Sequence, residues 1–229
     1  LARGLFQIHG ANQQISEIKK GDETVEKKDA LIRDDMKRRL GLLAADPNDG
    51  RVRAQLAILR RGVGRTPGDI PEMWGLIFSD MDERLMSQTN GPTREEWAIY
   101  TAITLYALHQ QSKCIKEKNM HQSGEENRLG RAVARLIKND EDRERVARRF
   151  NAFATASDMR EAAHYLRGLI QLLRAAEIPL DYVHLATDLY FIQFPQSAPN
   201  VRLAWGRDFY RIKPKDTNDE QEGQVDKNA

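Results

Sequence analysis

The stretch ASDMREAAHYLRGLIQLLRAAE, residues 156–177, decides the fold. Tyr165, Leu166, Leu169, Leu172 and Leu173 recur with the period of a helix that buries one side. The opposite side carries Arg160, His164, Arg167, Gln171 and Arg174, all within about 80° of arc at 100° per residue. A solvated helix face usually mixes signs, because acid–base pairs at i,i+4 are mildly stabilising. No carboxylate shares this one. At 1.5 Å per residue the row from Arg160 to Arg174 is roughly 21 Å long, enough to meet several phosphates of one strand. Such a face fits an elongated anion.

Helical spacing continues outward from this segment. It predicts helices over about 29–43, 51–61, 70–81, 128–138, 140–154, 158–177, 180–193 and 199–211. Gly41 and the DPNDG run break the first, Gly62 and Gly64 end the second, and Asp69 stands to cap the third with Pro71 in its first turn. Thr93 and Glu96 form a capping box ahead of WAIYTAITLYALHQQ (97–111). That helix is apolar on most sides, so it reads as a buried centre. Trp205 and Phe209 read as core anchors of the last helix.

Nothing alternates at period two over a useful length. The expectation is an all-α protein of two helical bundles, 27–115 and 128–212, joined by a polar linker, KEKNMHQSGEEN, at 116–127. Residues 1–26 read as a flexible extension and 213–229 as a disordered acidic tail.

The chain has 36 Lys and Arg against 34 Asp and Glu, a net charge of +2 that conceals an uneven distribution. The first 30 residues hold five of each sign, and residues 214–229 hold two cations against five acids. The intervening 31–213 therefore carry +5. Within them, residues 50–68 contain Arg51, Arg53, Arg60, Arg61 and Arg65 and no acid. A basic surface this local reads as a binding face. The single cysteine, Cys114, excludes an internal disulfide and fits a reducing compartment. Trp97 to Leu108 is the longest apolar stretch and is too short to span a bilayer. With no secretory leader visible, a cytoplasmic protein with no membrane partner is expected.

The segment NRLGRAVARLIK (127–138) supplies a second basic row, Arg128, Arg131, Arg135 and Lys138, opposite Val133 and Ile137. By contrast Asp34–Arg38, Asp35–Arg39, Glu141–Arg145 and Glu144–Arg148 are i,i+4 pairs and read as ordinary solvated faces. Unpaired basic rows are thus the candidates. No helix presents the polar N-terminal set of a helix-turn-helix reader, so phosphate contact indifferent to sequence fits best.

RRGVGRTPGD (60–69) lacks the preceding strand and the Gly-Lys-Ser/Thr of a P-loop. The spacing of His109, Cys114 and His121 matches no standard metal site. Asp181 and Asp188 share a helix face near His184, but Asp181 suits a first turn and Asp188 a structural ion pair. No catalytic residue, metal or cofactor is expected, and an enzyme is disfavoured.

Six segments carry a resemblance in their order: AQLAILRRGVGRTPGDIPEMW (54–74), WAIYTAITLYALHQQ (97–111), RLGRAVARL (128–136), RRFNAFATASD (148–158), YLRGLIQLLRAAEIPLDYVHLATDLYFI (165–192) and VRLAWGRDFY (201–210). Together they resemble the CasB family, the small subunit of the type I-E CRISPR surveillance complex Cascade, over about 53–211. The resemblance implies a non-enzymatic, two-bundle helical subunit, present in two copies beside other Cascade subunits on a guide RNA. It also implies help in holding the target DNA strand to the guide and in stabilising the displaced strand. Arg60, Arg61, Arg131, Arg148, Arg149 and Arg167 match the family's basic positions. Where some relatives have a second basic residue after the last of these, this chain has Gly168.

Arg65 joins them from the acid-free 50–68 run, and Arg128, Arg135, Arg160 and Arg174 from helix geometry. The expected function is backbone binding that stabilises an R-loop in antiviral defence. The rival is a helical protein–protein adaptor whose basic faces dock acidic partners, with no nucleic-acid role.

Overall fold

Helix α4, Arg94–His109, is the buried axis of the computed structural model, which describes residues 27–45 and 50–211. Around it stand α1 (27–45), α2 (Gly50–Arg61), α3 (Trp74–Phe78), α5 (Leu129–Ala134), α6 (Asp140–Ala154), α7 (Met159–Ala175), α8 (Tyr182–Phe191) and α9 (Ala198–Arg211). Among the described residues the chain is all-α, without a strand. The extension 1–26 and the tail 213–229 lie outside them.

The capping box starts α4 as the sequence demands. Thr93 Oγ1 accepts the Glu96 N–H at 3.0 Å, and the Glu96 carboxylate accepts the Thr93 N–H at 2.7 Å. Ile99, Ile103 and Tyr106 then enter one continuous core with Ile32 and Met36 of α1, Leu166, Leu169 and Leu173 of α7, and Trp205 and Phe209 of α9. Helix α4 packs on α2, α7 and α8, while α5 packs on α9 and α6 on α7. The polar segment 116–127 is stitched to the approach of α8. Leu180 N–H donates to Met120 O at 3.0 Å, Gln122 N–H to Leu180 O at 3.2 Å, and Asp181 N–H to Asn127 O at 2.8 Å.

Three expected elements differ. Gly41 does not break α1, which continues to residue 45 because Leu40 and Leu43 are buried on either side of it. The 70–81 helix is a 3₁₀ turn, Pro71–Met73, followed by α3, which stops at Phe78. Buried Arg39 takes the carbonyls of Leu76 at 2.5 Å and Ile77 at 2.6 Å. Those acceptors point to a side chain instead of a further helical turn. Asp69 caps nothing there; its carboxylate accepts the Thr66 N–H at 2.9 Å. The 128–138 helix is one short piece, α5, because Asn139 must already cap α6 by accepting the Asp142 N–H at 2.8 Å.

Two histidines, His109 buried and His121 half-buried, give the fold a pH dependence. His109 is fully buried, with Nδ1 3.0 Å from the Tyr182 hydroxyl, and burial lowers its pKa to about 4. Burial shifts His121 the same way, and its Nδ1 accepts the Tyr182 N–H at 3.2 Å. The unfolded chain binds these protons near the ordinary value of about 6.5, and so more readily than the folded one. Stability is therefore complete above about pH 6.5 and declines as pH falls toward 4, by up to about 3 kcal/mol for His109. Denaturant titrations across this range should show that slope, and His109→Gln should remove most of it.

Candidate nucleic-acid interface

Helix α7 is aimed by both its caps and its apolar side. Asp158 accepts the Glu161 N–H at 2.8 Å, and Glu161 in turn accepts the Ser157 N–H and hydroxyl, each at 2.7 Å. Leu166, Leu169, Ile170 and Leu173 are fully buried, which turns Arg160, His164, Arg167 and Gln171 to solvent and leaves Arg174 half-buried.

This row meets the 50–68 run in space. Arg160 donates to Thr66 Oγ1 at 3.2 Å, across 94 residues of chain. Arg174 donates to Gln111 Oε1 at 2.6 Å and lies close enough to Arg60 of α2 to lower its pKa, after the larger effect of burial. On the other flank, Arg149 lines a groove of about 470 Å³ between α6 and α7, together with His164 and Gln171. Arg60, Arg65, Arg149, Arg160, Arg167 and Arg174 make no ion pair among the described residues. They form one cationic face across α2, α6 and α7.

The loop that carries Arg65 is set by a close approach. A Cβ on Gly62 would fall 2.6 Å from Met73 Cε and 2.7 Å from the Tyr100 hydroxyl. That hydroxyl donates to the Gly62 carbonyl at 3.1 Å. Gly64 and Gly68, at φ 78° and 98°, complete the turn in conformations that favour glycine.

The other candidates are engaged. Arg131 is only 14% exposed and is surrounded by Glu126 at 2.5 Å, Glu125 at 3.3 Å and Asp208 at 3.3 Å. Arg128 faces Glu125 at 3.9 Å, Arg61 faces Glu72 at 3.4 Å, and Arg148 faces Glu144 at 3.8 Å. Arg135 donates to Asn127 Oδ1 and the Pro179 carbonyl, each at 3.1 Å, and burial lowers its pKa.

The second row is therefore not acid-free. Its carboxylates come from the 3₁₀ turn Glu125–Asn127 and from α9, where periodicity along α5 cannot see them. The converse also fails: Asp35–Arg39 is a buried pair, 4% and 6% exposed, and no solvated face. Arg38 pairs with Asp35 at 2.6 Å, and Arg145 pairs with Asp142.

Of the carboxylates weighed for chemistry, Asp181 caps α8 by accepting the His184 N–H at 3.0 Å. Asp188 is buried, accepts the Trp205 indole N–H at 2.7 Å and faces His184 at 3.6 Å. Burial raises its pKa. None of the helices is long and apolar enough to cross a membrane among the described residues.

Fold and charge together define an all-helical protein with a cationic face built from three separate helices. Residues 55–210 match the family model described as CRISPR-associated protein Cse2. The chain belongs to this CRISPR-associated family, also known as CasB. It is similar to CasB from Thermobifida fusca, at 35% identity over 78% of this chain and 97% of that one, with a TM-score of 0.64. CasB from Thermus thermophilus is 25% identical over 77% and 98% of the two chains, with a TM-score of 0.57. CasB from M. ruber, at 22% identity over 76% and 93%, shares the fold with a TM-score of 0.54. Comparison with curated proteins gives no match.

Proposed function

We propose that this chain is a non-catalytic small subunit of a Cascade complex that binds nucleic-acid backbone without sequence preference and so stabilises the R-loop. One observation carries the reading: the Arg160–Thr66 hydrogen bond brings the α7 row against the acid-free 50–68 run, and Arg60, Arg65, Arg160 and Arg174 make no ion pair among the described residues. Like charges gathered in this way cost free energy unless an anion is bound between them. Phosphates of the guide, target or displaced strand are anions of the right spacing, and each contact releases counterions. R-loop formation is a nearly balanced strand exchange, so a few such contacts suffice to bias it. The other subunits and a second copy of the chain would hold the face in place, in the cytoplasm.

Salt titration of a single-stranded oligonucleotide on the full chain tests this. Arg60→Glu with Arg167→Glu should weaken binding on the order of tenfold or more and flatten the log K against log salt slope by about 0.7 per lost contact. Arg131→Gln should leave the slope unchanged. An unaltered slope in the double variant would overturn the reading. An assembled complex that co-purifies without RNA would favour the adaptor alternative.

A further inference from the structure

A cavity of about 790 Å³ opens where the first turns of α4, α7 and α9 meet the end of α8. Arg94, Arg160 and Arg202 line it, one from each of those three helices. None makes an ion pair among the described residues. Each is nonetheless aimed. Arg94 lies over the Phe194 ring at 4.5 Å, Arg160 reaches Thr66, and Arg202 Nε donates to the Ala154 carbonyl at 2.7 Å. The lining carboxylate, Asp158, is occupied as the cap of α7. Trp97, Ile192 and Pro199 supply an apolar wall. Trp97 is half-buried, and its indole N–H meets no acceptor among the described residues. Trp74 and Trp205, by contrast, donate to Gly68 O and to Asp188.

A flat aromatic wall with an unused donor, ringed by three fixed cations, suits an aromatic base that carries a phosphate. We propose that this cavity receives one unstacked nucleotide of a single strand, the base against Trp97 and the phosphate among Arg94, Arg160 and Arg202. The proposal rests on the backbone-binding reading above, because Arg160 is also the first member of the α7 row. A strand lying along Arg174, Arg167 and Arg160 ends at the mouth of the cavity. That continuity favours a nucleotide over an acidic peptide, the other polyanion that this charge could attract. The volume lies within the usual range of about 300–1,000 Å³ for small-ligand sites.

The test compares two strands of equal phosphate number, an oligothymidylate and a fully abasic strand, each of about 20 nucleotides, binding the full chain by fluorescence anisotropy. The oligothymidylate should bind about tenfold more tightly, the contribution of a single stacked base. Trp97→Leu should abolish the difference. Arg202→Gln, a surface change remote from the core, should narrow it. Arg167→Ala should weaken both strands alike and preserve the difference.

Equal affinity of the unmodified chain for the two strands would overturn the cavity's role and leave the backbone reading standing. Failure to bind either strand would overturn both. A peptide of residues 213–229 that binds the full chain, loses affinity with Trp97→Leu and leaves strand binding unchanged would overturn the proposal by assigning the cavity to an acidic peptide.

Discussion

Gly130→Ala should destabilise the protein by about 2 kcal/mol, read as a lower denaturant midpoint with unchanged m-value. A Cβ at this position would stand 2.5 Å from the Trp205 carbonyl oxygen, 2.7 Å from Asp208 Cβ and 3.1 Å from Phe209 N. Two of these are backbone atoms of α9, held by Trp205 and Phe209 in the core. Neither can rotate away, so the helices must separate. Alanine's better helix propensity returns only about 1 kcal/mol. Overpacking of this kind costs about 1–3 kcal/mol and sometimes more, so the net sign is set by the collision. Gly130→Leu should prevent the α5–α9 seam from closing at all.

Leu129, Gly130, Arg131 and Ala132 then make sense as a unit. Leu129 and Ala132 are buried, Gly130 admits the α9 backbone, and Arg131 ties the seam through Asp208. The motif that carries one of the family's basic positions also builds this seam.

Arg39→Met should have the second large effect, about 3 kcal/mol of lost stability. Its guanidinium donates twice to Asp35, at 2.5 and 3.1 Å, and caps the end of α3 through Leu76 and Ile77. Replacement leaves two carbonyls without their donor and a carboxylate that is 4% exposed with Arg38 alone. Stranding part of a buried pair is the costly case, whereas removing both partners is often nearly neutral. Asp35→Leu combined with Arg39→Met should therefore recover only the part owed to the stranded carboxylate, because the Leu76 and Ile77 carbonyls still lack their donor. Thermal and denaturant unfolding of the single and double variants would measure the recovery.

The helical phases were readable because each depends on neighbours three or four residues away. Period, capping box and buried faces all follow from that local spacing in α4, α6 and α7. Charge was readable only in part. A helix shows which acids lie on its own surface, and by that measure Arg131 looked free and Arg39 looked solvated. The residues that decide both cases are Asp208 and the carbonyls of Leu76 and Ile77, and they lie 77, 37 and 38 positions away. The arginines of the α7 row stay without an ion pair among the described residues because its flanks bring Thr66 and Gln111, which are neutral, where α5 meets acids. Arg94 and Arg202, which line the cavity proposed as a nucleotide site, were not legible for the same reason. Each is unremarkable on its own helix and gains meaning only when three helix ends converge.

The cationic face draws Arg60, Arg149 and Arg167 from three stretches of chain that meet only after folding. A denatured or half-synthesised copy carries the same arginines in the same number, scattered along a coil. Such a copy would have an ordinary polycation's loose attraction for a strand and none of the fixed pitch. Under the proposed backbone binding, occupancy of the face would be a check on the quality of the subunit itself, since only a finished molecule would present an array for a strand to follow.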